Sequence, residues 1–165
     1  LKAATGELRK QATTDAMKGL LNKRQFQEDY PVVLKMAAQR NRALCLMSLD
    51  MDRFKQLNDT LGHAAGDKAL IDLADSIRAK VRSSERAYRI GGDEFILIAV
   101  GAGMSEAKVI ADRVSEEYER RKQEGNPTTI SFGIVSYDGK ASPEDFLKLA
   151  DEEMYRVKRE KKAAR

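Results

Sequence analysis

The chain of 165 residues has one cysteine, one histidine, three prolines and no tryptophan. A lone thiol, Cys45, excludes an internal disulfide framework and a cysteine-based zinc site, and it fits a reducing, cytosolic setting. No apolar run approaches the roughly 20 residues that span a bilayer, and nothing resembles a signal peptide, so the chain reads as soluble. Charge of one sign is also lacking. The 30 Lys and Arg and 26 Asp and Glu leave a formal net charge of +4, and the two signs are interspersed as on solvated helix faces. Lys158, Arg159, Lys161, Lys162 and Arg165 form a basic tail that could meet phosphates, but no aromatic residue interleaves with them, which argues against a nucleic-acid platform. What is present, 42% hydrophobic and 34% charged residues, suits a single α/β domain with a core of its own.

Helical and extended patterns alternate without repeats or a long linker. Phe26, Tyr30, Val33 and Ala37 recur at helical spacing between Asn22 and about Arg40, and Pro31 is expected to kink or interrupt that helix. Ala43 to Asp50 (ALCLMSLD) reads as a buried strand ending in a carboxylate. Leu70, Leu73, Ile77 and Val81 mark one face of a helix starting near Ala65. AYRI, GGDE and FILIAV, within Ala87 to Val100, read as strand, turn and buried strand. Ser105 starts a helix carrying Ile110, Val114 and Tyr118, and Ile130, Phe132 and Ile134 alternate on one face of a further strand. Ser142-Pro-Glu-Asp145 is a helix start with an N-cap serine and proline at the first helical position, and Phe146, Ala150, Met154 and Val157 pack that helix down. Helices on a sheet that is at least partly antiparallel follow from this order.

Carboxylates stand where a core-building sequence would not place them. Asp50 and Asp52 end the first buried strand, and Asp93 and Glu94 occupy the turn of the later hairpin. Brought together, up to four such groups repel unless a cation neutralises them, and oxygen-only ligands suit Mg²⁺ or Mn²⁺ completed by substrate phosphates. That chemistry is nucleotidyl or phosphoryl transfer. Local readings stand beside it: Asp52 as the cap of a helix starting at Arg53, and Asp93 as an ordinary turn residue. The paired glycines admit a tight turn and close approach by a ligand. Phe54 and Lys55 follow the strand end, where backbone N–H groups and an ammonium could hold phosphates. Asn58 and Asp67 could read a guanine edge or serve as caps in loops, and His63 reads as a loop hydrogen-bonder.

The run D50-M-D-R-F-K-Q-L-N-D-T-L-G-H-A-A-G-D67 followed by R89-I-G-G-D-E-F95 resembles the GGDEF family of diguanylate cyclases. The resemblance implies a palm-like, nucleotidyl-cyclase-like α/β (α+β) fold, with a mostly antiparallel five-stranded sheet flanked by helices. It implies a nucleotidyltransferase that condenses two GTP into cyclic di-GMP plus two pyrophosphates, as a two-fold homodimer with Mg²⁺ or Mn²⁺. Residue by residue, it makes Asp50, Asp93 and the Met51 backbone carbonyl metal ligands, with Asp93 and Glu94 helping to ionise the 3′-hydroxyl. Phe54, Lys55, Lys158 and Lys162 become phosphate contacts, and Asn58, Asp67 and Leu70 the guanine site. Residues 15–165 form the domain. Residues 1–14 are then the end of a signalling helix from an upstream sensor domain, in a parent protein that is cytoplasmic or membrane-anchored, while this domain itself contacts neither membrane nor nucleic acid.

Departures from the family pattern carry their own expectations. The D-x-L-T-G-L-x-N-R entry reads D15-A-M-K-G-L-L-N-K23, and the K-x-x-G-R ending reads K158-R-E-K-K162. Lys162 then replaces a bidentate arginine with a point charge. The product-binding R-x-x-D reads R82-S-S-E85, with Arg113 as a second arginine. Glu85 carries an extra methylene, so weakened or absent product inhibition is expected, unless Arg82 and Glu85 are simply an exposed pair. The alternative to an enzyme is an inactive module that binds GTP or cyclic di-GMP and signals by docking.

Overall fold

Alternating side chains along one central strand decide the layering of this fold. In the computed structural model, which describes residues 20–164, strand β2 (Leu44–Asp52) sends Cys45, Met47, Leu49 and Met51 into one core. Leu44 and Leu46 go into another. Period-2 alternation with both faces apolar is what a strand buried on two sides requires, and β2 is the second strand from one edge of its sheet.

The other strands are β1 (Leu21–Asn22), β3 (Glu85–Arg89), β4 (Glu94–Val100) and β5 (Thr129–Ser136), in spatial order β1-β3-β4-β2-β5. Only β1 pairs parallel, with β3; the β3–β4, β4–β2 and β2–β5 pairs are antiparallel. The expected five-stranded, mostly antiparallel sheet is therefore present. Helices α2 (Phe54–Leu61), α3 (His63–Lys80) and α4 (Met104–Arg121) lie with the first core; Leu70, Leu73 and Ile77 of α3 and Ile110, Val114 and Tyr118 of α4 are buried in it. Helices α1 (Lys23–Gln39) and α5 (Pro143–Ala163) cover the other face with Phe26, Tyr30, Leu34, Phe146 and Ala150.

Several local expectations change. Pro31 sits inside α1 without interrupting it. Pro31 and the residue four before it, Gln27, are both exposed, so the carbonyl that loses its intrahelical donor can turn to water. Helix α3 starts at His63, which is an exposed helical residue and not part of a loop. Helix α5 starts as its sequence indicates, with Ser142 Oγ accepting from the Asp145 N–H at 3.1 Å and Pro143 as first residue.

Gly133 brings α5 unusually close to the sheet. A Cβ there would lie 2.5 Å from the Ala150 carbonyl oxygen and 2.5 Å from the Met154 nitrogen. Helix backbone thus rests directly on β5, which sets the height of the α5 side chains above the ends of β2 and β4.

Candidate active site

The site forms where β2 and β4 end beneath α5. Continuing the alternation of Leu44 and Leu46, Asp50 and Asp52 emerge on the face that α5 covers. Register places Asp50 opposite Glu94 of β4 and opposite Ser131 of β5. Asp93, the last turn residue before β4, is the carboxyl neighbour whose charge acts on Asp50. Burial first, and this second carboxyl next, push Asp50 up to about 6, while Lys158 pulls the other way. Lys158 Nζ donates to Asp50 Oδ2 at 2.5 Å. Asp50 Oδ1 is buried without a hydrogen-bond partner. A buried, partnerless carboxylate oxygen beside a second carboxyl is the environment that a divalent cation relieves, and the all-oxygen donor set fits Mg²⁺ or Mn²⁺.

The expected gathering of four acids is not what forms. Among the described residues no group of three or more His, Cys, Asp or Glu side chains could hold a metal ion. Asp50 and Asp93 make a pair, while Glu94 is exposed and lines the adjoining cavity of about 210 Å³ together with Asp50, Ile90, Asp151, Tyr155 and Lys158. Mg²⁺ commonly takes only one or two carboxylates and fills its remaining positions with water and phosphate oxygens.

Asp52 serves neither the pair nor a helix cap. It is 7% exposed, and its Oδ1 accepts from Ser131 Oγ at 2.6 Å. Its Oδ2 accepts from Thr129 Oγ1 at 2.7 Å and from Lys161 Nζ at 2.8 Å. Burial raises the carboxyl, but the bonds from Lys161, Ser131 and Thr129 together outweigh it and hold Asp52 below the usual carboxylate range. The cap position of α2 goes to Arg53, in the left-handed region at φ 63°, with no side-chain cap bond. The first-turn N–H groups at Phe54 and Lys55 therefore keep their donors, as a phosphate contact would need.

The signature turn is held from outside by a residue whose role the sequence did not disclose. Arg89 Nε donates to the carbonyls of Gly91 and Gly92 at 3.2 Å each, and Nη2 to Gly92 at 2.8 Å. Neither glycine has positive φ, so left-handed backbone is not what selects them. A Cβ at Gly92 would meet nothing within 4 Å, which leaves that side of the turn open.

On the other side of β2, Asn58 of α2 and Asp67 of α3 flank the helix junction as helical residues, not loop caps. Asn58 lies against Gly66, where a Cβ would fall 1.9 Å from its Oδ1. Asp67 is exposed, while Leu70 is buried in the core.

The family model of the diguanylate cyclase GGDEF domain matches residues 12–164. The chain belongs to the GGDEF family. It is 36% identical to diguanylate cyclase TpbB of Pseudomonas aeruginosa, an alignment that takes in 100% of this chain and 39% of that protein. Against the probable diguanylate cyclase DgcJ of Escherichia coli it is 35% identical over 90% of this chain and 30% of DgcJ. The chain thus spans about two fifths or less of these curated relatives. Among solved structures, the coiled coil and GGDEF domain of DgcB from Caulobacter crescentus in complex with c-di-GMP superposes with a TM-score of 0.87, at 27% identity, over 96% of this chain and 86% of that one. The GGDEF domain of TpbB superposes at 0.80, with 35% identity and 89% of each chain covered.

Two further parts of this GGDEF domain lie apart from the acid pair. Arg82, Glu85 and Arg113 line a single cavity of about 320 Å³ with Val109 and Ile110. Glu85 Oε2 accepts from the Arg82 backbone N–H at 2.9 Å and from Ser84 Oγ at 3.1 Å. Lys162 is exposed and absent from the lining of the cavity that holds Asp50 and Lys158. Lys161, one residue earlier, makes the contacts to the strand ends. The Met51 side chain is buried in the first core. Asp15, Met17 and Lys18 of the entry motif, and the segment 1–14, lie outside the described residues. No helix among the described residues is long and apolar enough to cross a membrane.

Proposed function

We propose that this domain is a diguanylate cyclase. Two GTP molecules, one on each of two copies related by a two-fold axis, exchange 3′-hydroxyl attack on each other's α-phosphorus. Each new O3′–P bond displaces one pyrophosphate, and the product is cyclic di-GMP. The observation that carries the reading is the Asp50–Asp93 pair at the strand ends, with Asp50 Oδ1 buried and partnerless beside Lys158.

Asp50 and Asp93, with the Met51 carbonyl, would hold Mg²⁺ or Mn²⁺, which supplies charge neutralisation at the transferring phosphate and acidifies the attacking hydroxyl. Glu94, exposed and lining the cavity that Asp50 also lines, would help Asp93 ionise the 3′-hydroxyl. Phe54 and Lys55 offer backbone donors and an ammonium to the phosphates, and Lys158 and Lys162 add positive charge from α5. Asn58 and Asp67 read the guanine edge, since an amide and a carboxylate match its O6, N1 and N2, and Leu70 backs the base. Arg82, Arg113 and Glu85 form a product site whose inhibition is weak or absent. Upstream, the parent supplies a sensor domain that sets the pairing of two copies in the cytoplasm.

Incubation with GTP and Mg²⁺ tests this, with pyrophosphate and cyclic di-GMP measured together, both for the chain alone and for a dimer enforced by an N-terminal coiled-coil fusion. Two pyrophosphates per cyclic di-GMP are expected. Absence of turnover in the enforced dimer would sink the enzyme reading, and GTP binding without turnover would favour the inactive signalling module.

A further inference from the structure

Helix α5 carries Lys158 and Lys161 three residues apart on one face, and β2 carries Asp50 and Asp52 two residues apart on one face. The four groups pair as Lys158 with Asp50 and Lys161 with Asp52. The pairs differ in kind. Asp50 keeps one buried oxygen without a partner, whereas both oxygens of Asp52 are engaged, by Thr129, Ser131 and Lys161. Lys161 Nζ donates a second time, to the Ile130 carbonyl at 2.8 Å, so it ties α5 to β2 and β5 together.

The apolar anchoring of α5 thins out over its last two turns, beyond Met154. Phe146, Ala150 and Met154 are buried, Val157 is half-buried, and Arg159, Glu160, Lys162 and Ala163 are exposed. A final turn held by so little apolar area would fray. Lys161 is also the residue that stands where the K-x-x-G-R pattern has glycine.

We propose that Lys161 is a positioning residue for nucleotide binding: through Asp52 and the Ile130 carbonyl it pins the last turns of α5, and so holds Lys158 where it reaches the phosphates. The proposal rests on the cyclase reading for its ligand, and the helix tether itself does not.

The test is a double-mutant cycle on the full 165-residue chain, read by equilibrium binding of a fluorescent GTP analogue with Mg²⁺ and by amide hydrogen exchange over residues 157–163. Lys161→Met is expected to weaken binding about five- to tenfold, and Lys161→Arg to restore most of it. In a Lys158→Met background, Lys161→Met is expected to change affinity by less than about twofold, because the group it positions is gone. Additive losses in the cycle, or no loss in Lys161→Met, would overturn the proposal. If the wild-type chain binds no GTP analogue, the cyclase reading fails instead. The tether is then judged by exchange alone: unchanged protection of residues 157–163 in Lys161→Met overturns it, and faster exchange supports it.

Discussion

Replacing Gly133 by alanine isolates the closeness of α5 to the sheet. The backbone permits it, since Gly133 is not among the residues with positive φ. A strand alanine would by itself be favoured over glycine by roughly 0.5–1 kcal/mol. The added Cβ, however, would meet the Ala150 carbonyl oxygen and the Met154 nitrogen at 2.5 Å and the Met154 Cα at 2.9 Å, against 3.4 Å or more for ordinary contact. These are backbone atoms of a 21-residue helix and cannot rotate away. Relief requires α5 to retreat by about 0.9 Å, which loosens the packing of Phe146, Ala150 and Met154. Overpacking of this kind costs about 1–3 kcal/mol, enough to outweigh the propensity gain. At about 2–4 °C per kcal/mol for a domain of this size, the melting temperature should fall by several degrees. The same retreat lengthens the 2.8 Å Lys161–Asp52 contact and shifts Lys158, so nucleotide affinity should fall with stability. Urea denaturation with GTP-analogue titration on one preparation measures both. Gly133→Ala as stable as wild type, with unchanged affinity, would refute the argument that helix height on β5 governs the site.

Gly66→Ala should have the opposite profile. Its Cβ displaces only the end of the Asn58 side chain, so stability should hold or rise by up to about 1 kcal/mol while GTP affinity drops, as thermal melts and binding titrations would reveal. Asp50→Ala and Glu94→Ala should each abolish cyclic di-GMP formation with the circular dichroism spectrum intact; near-normal turnover in either would overturn its assigned role. Arg89→Ala should slow turnover about tenfold or more by releasing the Gly91 and Gly92 carbonyls, with the loss in kcat and little change in GTP affinity. Cyclic di-GMP should bind the Arg82–Glu85–Arg113 cavity weakly. Micromolar binding that vanishes in Arg82→Ala would show that the longer Glu85 side chain does not impair the site.

Much of the fold was readable because its signals are local. The apolar periods of α3, α4 and α5, the Ser142 cap and the alternation of β5 each depend on a few adjacent residues, and the structure returns them nearly in place. Local logic failed where a distant partner overrode it. Asp52 precedes a helix and reads as its cap, yet Thr129, Ser131 and Lys161, from 77 to 109 residues away, claim its oxygens. Pro31 reads as a helix breaker, yet exposure of that turn lets α1 continue. The glycines of the signature read as admitting a tight turn and close approach by a ligand; neither has positive φ, and one side of the turn is left open at Gly92.

By itself the sequence determined the chemistry on offer: acids at strand ends, lysines near the C-terminus, an amide and a carboxylate near the start of α3, in an order specific enough to name a family. Only tertiary structure decided which acids meet. Strand register put Asp50 across from Glu94, a period of two turned Asp50 and Asp52 toward α5, and the close approach at Gly133 set the reach of the lysines. Charges interact over a few ångströms, and such distances between residues a hundred positions apart are set by packing, not by spacing along the chain.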